Sequence, residues 1–364
     1  MTTTAPRPST AGALRGRVRR FAERITTPLV PADYLDVIDP LRSTAALRGR
    51  IVAINPETRD AVTVVIKPGA SWRSHVPGQY IRIGVDVDGV RQWRTYSLTS
   101  EIRRPDGCIT ITVKAIPGGV VSNYLVRRAR IGTLVQLDQA AGSFVLATPS
   151  PAKVLFITAG SGITPVMGML RNMPRDNAPD VVVVHSAPTA AQVIFGGELR
   201  GRAARGQLRL VEVHSGTDGR LDATALGRCV PDLTERDTWA CGPAGLLDDL
   251  QNHWTAAGLA DRLHTERFRS TVVATGDGGE VTFSATGTTV GNDGTQSLLD
   301  TGEAAGVLMP SGCRMGICFG CVAPLRRGAV RDMRTGQITT AAEGDGVVIQ
   351  TCISAAAGAC DIQL

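Results

Sequence analysis

The sequence predicts three folded units in succession: an antiparallel β-barrel, an α/β unit on a parallel sheet, and a small α+β unit carrying a cysteine-rich loop. Three observations predict them. Between Leu47 and Ala147, short β-branched runs alternate with Gly, Pro, Asn and Asp turns, as in a barrel. After Pro149 and Pro151, continuous apolar strands alternate with helical segments, as in a parallel sheet covered on both faces. A Gly/Asp-rich stretch, Thr275 to Gly279, then leads into a segment that holds Cys313, Cys318, Cys321 and Cys352. The expected division is an arm over 1–43, the barrel over 44–148, the α/β unit over 149–270, a linker over 271–279 and the last unit over 280–364.

The elements follow in order. Barrel strands are expected at Arg50 to Ile54, Val62 to Ile66, Tyr80 to Val85, Trp93 to Leu98, Ile109 to Val113 and Leu134 to Leu137, with a short helix from Ser122. In the α/β unit, strands are expected at Val154 to Thr158, Val181 to His185, Leu208 to Val213 and Thr238 to Ala240. Helices between and after them run Ile163 to Asn172, Glu198 to Arg205 and Ala244 to Ala257. The last unit shows strands at Val281 to Ala285 and Val347 to Gln350, and a helix at Ser297 to Ala305.

The 364 residues, 43% of them apolar, suffice for a core in each unit. The net charge of +6 hides an asymmetry: from Gly276 onward five Arg and nine acidic residues give −4, so the remainder carries +10. Nucleic-acid binding is not expected, because aromatics make up only 4% and no basic stretch is interleaved with stacking residues. His75, His185, His214, His253 and His264 form no H-x-x-x-H pair, and no G-x-S-x-G elbow occurs.

The basic N-terminus lacks an apolar signal region, which predicts a cytoplasmic location with reduced thiols. The uncharged stretch Val154 to Leu170 is too short for a membrane span and is interrupted by Gly160, Gly162, Pro165 and Gly168. In the arm, Leu14, Val18, Phe21 and Ile25 recur at helical spacing among Arg15, Arg17, Arg19, Arg20 and Arg24. Peripheral contact with the inner face of the membrane and docking on the barrel both fit that pattern.

The spacing C-x4-C-x2-C…C of Cys313, Cys318, Cys321 and Cys352 is that of a plant-type [2Fe–2S] site, whereas zinc sites pair cysteines or histidines on two knuckles. Cys108, Cys229 and Cys360 are scattered and expected to be inert. Arg94-Thr95-Tyr96-Ser97 falls on a barrel strand, and Pro117-Gly118-Gly119-Val120-Val121-Ser122 is a glycine turn entering a helix, where backbone N–H groups suit a pyrophosphate. Gly160-Ser161-Gly162-Ile163-Thr164-Pro165 stands where a strand turns into a helix, and Cys241-Gly242-Pro243 ends a later strand. Ligands gather at such carboxyl edges of a parallel sheet.

In this order, R-x-Y-S, GG-x-x-S, G-x-G-x-T-P, C-G-P and the four cysteines, the chain resembles the ferredoxin–NADP reductase family with a C-terminal plant-type ferredoxin domain, over about residues 47 to 364. The resemblance implies an antiparallel FAD-binding β-barrel, an α/β NAD(P)-binding domain and a β-grasp ferredoxin domain. It places Arg94 on flavin phosphate, Tyr96 on the isoalloxazine and Ser97 near N5, with Gly118, Gly119 and Ser122 at the FAD turn. Gly160, Gly162, Thr164 and Pro165 would meet the nucleotide, and Cys241, Gly242 and Pro243 would lie beside the nicotinamide. Glu266-Arg267-Phe268 resembles the family's closing acidic-x-aromatic segment, which makes Glu266, with Ser97 and Cys241, a catalytic candidate.

The arm Ile25 to Leu35 further resembles the N-terminal extension of bacterial reductases that serve membrane-bound acyl-CoA desaturases. The expected activity is therefore electron transfer from NAD(P)H through FAD and a [2Fe–2S] cluster to a separate desaturase. Reductases of Rieske-type or other multicomponent oxygenases, and of soluble hybrid-cluster acceptors, are the alternatives. NADPH is favoured by the resemblance. The strand end His185-Ser186-Ala187-Pro188-Thr189 offers only Ser186, Thr189 and the distant Arg220 to a 2′-phosphate, so NADH stays open.

Overall fold

Runs of Val and Ile favour extended backbone because branching at Cβ stiffens χ1. In the computed structural model, which describes residues 39–42, 46–174, 178–268, 274–312, 314, 316 and 319–364, these runs form β1 (Arg48–Thr58), β2 (Ala61–Pro68), β3 (Tyr80–Val87), β4 (Val90–Ser97), β5 (Ile109–Lys114) and β6 (Leu134–Leu137). They form one antiparallel sheet in the order β4-β3-β6-β1-β2-β5. A bridge from Leu98, just past β4, to Ile111 on β5 joins its two edges. Ile51, Val64, Ile81, Ile83 and Ile111 fill the interior.

Helix α1 (Val120–Arg127) adds Val121 and Leu125 to that core. It starts two residues before Ser122, because Gly118, at φ +71°, has already turned the chain and Gly119 is the N-cap. The amphipathic arm and its membrane or barrel contact lie outside the described residues.

The second unit runs β7 (Lys153–Ala159), α2 (Ile163–Asn172), β8 (Asp180–Ala187), α3 (Gly196–Ala204), β9 (Arg209–His214), α4 (Ala223–Cys229), β10 (Asp237–Cys241), α5 (Ala244–Ala256) and β11 (Leu263–Glu266). Its sheet is parallel in the order β11-β10-β7-β8-β9. Strand alternation sends Val154 and Phe156 to a core under α2 and α3, and Leu155 and Ile157 to a second core under α4 and α5. The order reverses between β7 and β10, so a crevice opens where their carboxyl ends diverge. Helix α4 and strand β11 were not expected. The first is a short segment started by the Asp222 side chain, which accepts from Ala225 N at 2.7 Å, and the second, Leu-His-Thr-Glu, is made a strand by pairing with β10.

Barrel and α/β unit meet along α2. A Cβ at Gly168 would come within 2.3 Å of the Leu98 carbonyl, so only glycine permits that approach. Arg171 donates to Thr99 O at 2.7 Å, and the Asn172 amide donates to Ser100 O at 3.0 Å while accepting from Ile102 N at 2.8 Å. Trp239 of β10 reaches across to Val145 O at 3.0 Å.

The last unit contains β12 (Gly279–Phe283), β13 (Thr288–Asn292), α6 (Leu298–Ala304), β14 (Val322–Asp332), β15 (Ile338–Ala341), β16 (Val348–Gln350) and β17 (Ser354–Ile362). The sheet order is β13-β12-β17-β14-β15, with β16 beside β14. Strands β13, β14, β15 and β17 were not expected. The last, Ser-Ala-Ala-Ala-Gly-Ala-Cys-Asp-Ile, has little β-branched signal and is a strand because it pairs on both sides, with β12 and β14.

The expected linker is corrected in part. Its described residues 274–279 are built into the last unit: Gly276 N donates to Gly294 O, Gly278 N to Ala356 O, and Gly279 opens β12. Added Cβ atoms at Gly276 and Gly279 would lie 2.0 and 2.2 Å from the carbonyls of Ala356 and Gly358, so these glycines serve close approach rather than flexibility.

Candidate active site and cluster loop

A cleft of about 1240 Å³ lies between the barrel and the parallel sheet. On the barrel side β4 delivers Arg94, Thr95, Tyr96 and Ser97 to it, and α1 delivers Gly119 and Ser122. On the other side come Gly160, Ser161, Gly162 and Thr164 after β7, Gly242 and Pro243 after β10, and Glu266, Arg267 and Phe268 from β11 onward. Three helical starts converge here, at α1, at the 3₁₀ turn Gly160–Gly162 that opens α2, and at α5, and none has a side-chain cap. Uncapped N–H groups and the positive end of the helix dipole form an anion site, and three of them suit a dinucleotide's phosphates. By contrast α6 starts elsewhere on a capping side chain, Ser297, and α4 starts on the side chain of Asp222, which also lines the cleft.

The barrel residues fit a flavin. Ser97 is buried and its Oγ has no hydrogen-bond partner among the described residues, as is true of Thr95 Oγ1. A buried polar group left in that state costs about 1–3 kcal/mol, which a bound partner would return. The guanidinium of Arg94 donates to Trp93 O at 2.7 Å; burial lowers its pKa, and the like charge of Arg314 lowers it further. A phosphate relieves both effects. Gly119 is required by contact: a Cβ there would lie 2.4 Å from Ser122 Oγ, which itself bonds the turn at Gly119 O.

The nucleotide side has its own constraints. Gly160 has φ +55°, and a Cβ at Gly162 would meet the Cys241 carbonyl at 2.0 Å, which binds the two phosphate loops to each other. Thr164 Oγ1 donates to Ser161 O at 2.9 Å and so fixes the turn. Three expected site residues do not line the cleft. Gly118 makes the turn behind Gly119, Pro165 is buried in the first turn of α2, and Cys241 is fully buried with its carbonyl against Gly162.

Glu266, Cys241, Thr158 and His185 share one register across four strands. Burial raises the Glu266 carboxyl to about 8, and its Oε2 has no partner. The Cys241 thiol is pushed well above its usual range by burial and then by Glu266, so it is a neutral thiol here. Arg267 pairs with Asp248 at 2.7 Å.

At the carboxyl end of β8 the cleft is lined by Ser186, Pro188, Ser215 and Arg220, while Thr189 turns its hydroxyl to Gln192. Thr112 and Lys114 of β5 and Ser215 after β9 were missed, since they come singly from separate strands and carry no local motif.

In the last unit, Cys321 and Cys352 are buried and their sulfurs converge to 3.1 Å from just before β14 and just after β16. Cys313 and Cys318 lie outside the described residues. Two thiols aimed at one point suit a shared iron, and this spacing belongs to [2Fe–2S] ligation. Arg314 of the loop, at φ +58°, is paired with Asp300 at 3.2 Å and with Glu303 on α6. Its like charge acts on Arg94 of the cleft.

Comparison with known proteins agrees with this layout. Residues 54–160 match the oxidoreductase FAD-binding domain, 156–252 the oxidoreductase NAD-binding domain and 281–357 the 2Fe-2S iron-sulfur cluster binding domain. A protein of Mycobacterium tuberculosis named NADPH oxidoreductase is 50% identical over 368 residues, covering 98% of this chain and 96% of its own. The ferredoxin reductase component of 3-ketosteroid-9-alpha-monooxygenase from that species is 30% identical, covering 77% of this chain and 82% of its own. The fold is that of phthalate dioxygenase reductase, with a TM-score of 0.61 at 21% identity over 87% of this chain and 97% of that one. The chain belongs to the ferredoxin–NADP reductase family with a C-terminal plant-type [2Fe–2S] domain, and is an NAD(P)H-dependent oxidoreductase that uses FAD and that cluster.

Proposed function

We propose that this reductase takes hydride from NADPH in the cleft and passes single electrons through its cluster to a separate, oxygen-dependent acyl-CoA desaturase at the membrane. Flavin supplies the exchange between a two-electron donor and a one-electron acceptor. The chain's own residues would orient it: Arg94, Gly119 and Ser122 would hold phosphate, with Gly118 turning the chain behind them, Tyr96 and Ser97 would meet the ring, and Gly160, Gly162, Thr164, Gly242 and Pro243 would carry the nucleotide. Cys241 and Pro165 support the nucleotide loops from behind. Glu266 keeps a proton at neutral pH and is placed to exchange it beside the reacting rings. Cys313, Cys318, Cys321 and Cys352 hold the cluster, in the domain that carries −4.

The observation that carries the acceptor reading is the likeness of the arm Ile25 to Leu35 to the extension of desaturase reductases. The match to the NADPH oxidoreductase takes in 98% of the chain, against 77% and 83% for the ketosteroid and stachydrine reductases. The second reading, reductase of a soluble oxygenase, is supported by the names of those two relatives. Adding the protein and NADPH to desaturase-containing membranes should start acyl-CoA desaturation. Activity only with a soluble oxygenase would favour the second reading. On the arm, Phe21→Asp with Arg19→Gln and Arg20→Gln should release the protein from anionic vesicles and leave dye reduction normal. Unchanged sedimentation would remove the membrane contact. Preference for NADPH, through Ser186, Ser215 and Arg220, is read from kcat/KM. A tenfold preference for NADH, about 1.4 kcal/mol, would reverse it.

A further inference from the structure

The turn between β14 and β15 reaches back over the cluster loop. Asp332 organises it: one carboxylate oxygen accepts from Arg334 N at 2.7 Å and Thr335 N at 3.3 Å, and the carboxylate also holds the Arg334 guanidinium, with Nη2 at 3.0 Å and Nε at 3.3 Å. So anchored, Arg334 Nη1 donates to the carbonyl of Gly316, between the first two cluster cysteines, at 3.2 Å. Gly316 sits at φ +72°, a backbone conformation that favours glycine, and it packs directly under these side chains, since a Cβ would lie 2.6 Å from Arg334 Nη1 and 2.9 Å from Ile353 Cδ1. Buried Met333 in the same turn donates its N–H to Ile353 O at 2.7 Å, one residue past Cys352. One turn therefore ties the loop carrying Cys313 and Cys318 to the segment carrying Cys352.

We propose that Arg334 is a positioning residue for the iron–sulfur site. It clasps the two ligand-bearing segments together and sets the cluster's potential, because the Arg334–Asp332 pair points its positive end at the loop. An added electron is stabilised by a nearby cation and by donors that hold the loop, and is disfavoured by an anion. The ion pair is partly exposed, 34% at Arg334 and 23% at Asp332, so its contribution to fold stability is small. This inference holds whichever acceptor follows the cluster.

The test uses the holoprotein and an anaerobic redox titration followed by the EPR signal of the reduced cluster. Arg334→Gln removes the cation. At the potential that half-reduces the parent, its ratio of reduced to oxidised cluster should fall about tenfold, which is 59 mV for one electron. Asp332→Asn keeps an acceptor for the Arg334 and Thr335 N–H groups but removes the anion, and should shift the ratio the opposite way, by about threefold or more. Arg334→Lys should retain a potential close to the parent's yet lose visible cluster absorbance faster on standing, since it keeps the charge without the fork. Opposite shifts support the proposal. Parental potentials in both charge variants, or shifts of the same sign, overturn it. If Arg334→Gln holds no iron, Asp332→Asn decides alone, and a parental potential there overturns the proposal.

Discussion

The cleft and the cluster loop do related work with different materials. The cleft is built from main chain: three uncapped helical starts, strand ends at a switch in sheet order, and Gly162, where an added Cβ would lie 2.0 Å from the Cys241 carbonyl. Among its side chains the buried hydroxyls of Thr95 and Ser97 have no hydrogen-bond partner among the described residues, while Arg94 spends one bond on the Trp93 carbonyl. The cluster loop is held by side chains already engaged: Arg314 on Asp300 and Glu303, and Arg334 on Asp332 and Gly316. A site that receives and releases an exchangeable nucleotide leaves its donors unspent, whereas a site for a resident inorganic group is organised by contacts around it.

The comparison breaks most sharply at the ligands. Cys321→Ser should abolish cluster absorbance and the EPR signal while flavin reduction by NADPH stays within about twofold, an estimate from ligand chemistry. An intact signal would contradict the assignment. Gly162→Ala, which drives a methyl into the Cys241 carbonyl, should lower kcat/KM for NADPH by about 100-fold, the usual cost of displacing bound groups by an ångström. The cluster should be unaffected. Wild-type kinetics would show that the loops tolerate separation. Arg94→Gln should weaken FAD retention by about 10- to 100-fold, the worth of one charge-assisted bond to phosphate, as read by flavin release on dilution.

The smallest effect concerns protons. Unfolded, the Glu266 carboxyl titrates at its ordinary 4.5, and in the fold at about 8. The folded protein thus holds the extra proton between those values. Stability from it is complete below 4.5 and is lost as pH rises through 8. Between pH 6 and 9, Tm of the parent should fall more than that of Glu266→Gln, and the alkaline limb of hydride transfer should flatten in the variant. Identical profiles would place the titration elsewhere.

What could be read in advance follows the same division. Glycine turns, strand-to-helix junctions and cysteine spacing are local, so R-x-Y-S, G-x-G-x-T-P and the four cysteines were legible as strings. Lys114 and Thr112, two residues apart on β5, and Ser215 after β9 reach the cleft only because the barrel and sheet bring their strands there. Strand β17 was invisible because alanine has little preference for strand, and pairing with β12 and β14 decides it. Arg334 gave no signal either. Its role depends on a hairpin turn folding back onto a loop 18 residues earlier.

Electrons should reach the cluster only through the flavin cleft. The direct measurement removes FAD while keeping the cluster, mixes that protein anaerobically with NADPH, and follows the EPR signal before and after FAD is returned. The cluster should stay oxidised without FAD and become reduced once it is restored. Reduction of the cluster by NADPH in the flavin-free protein, at the rate seen with flavin, would contradict the account.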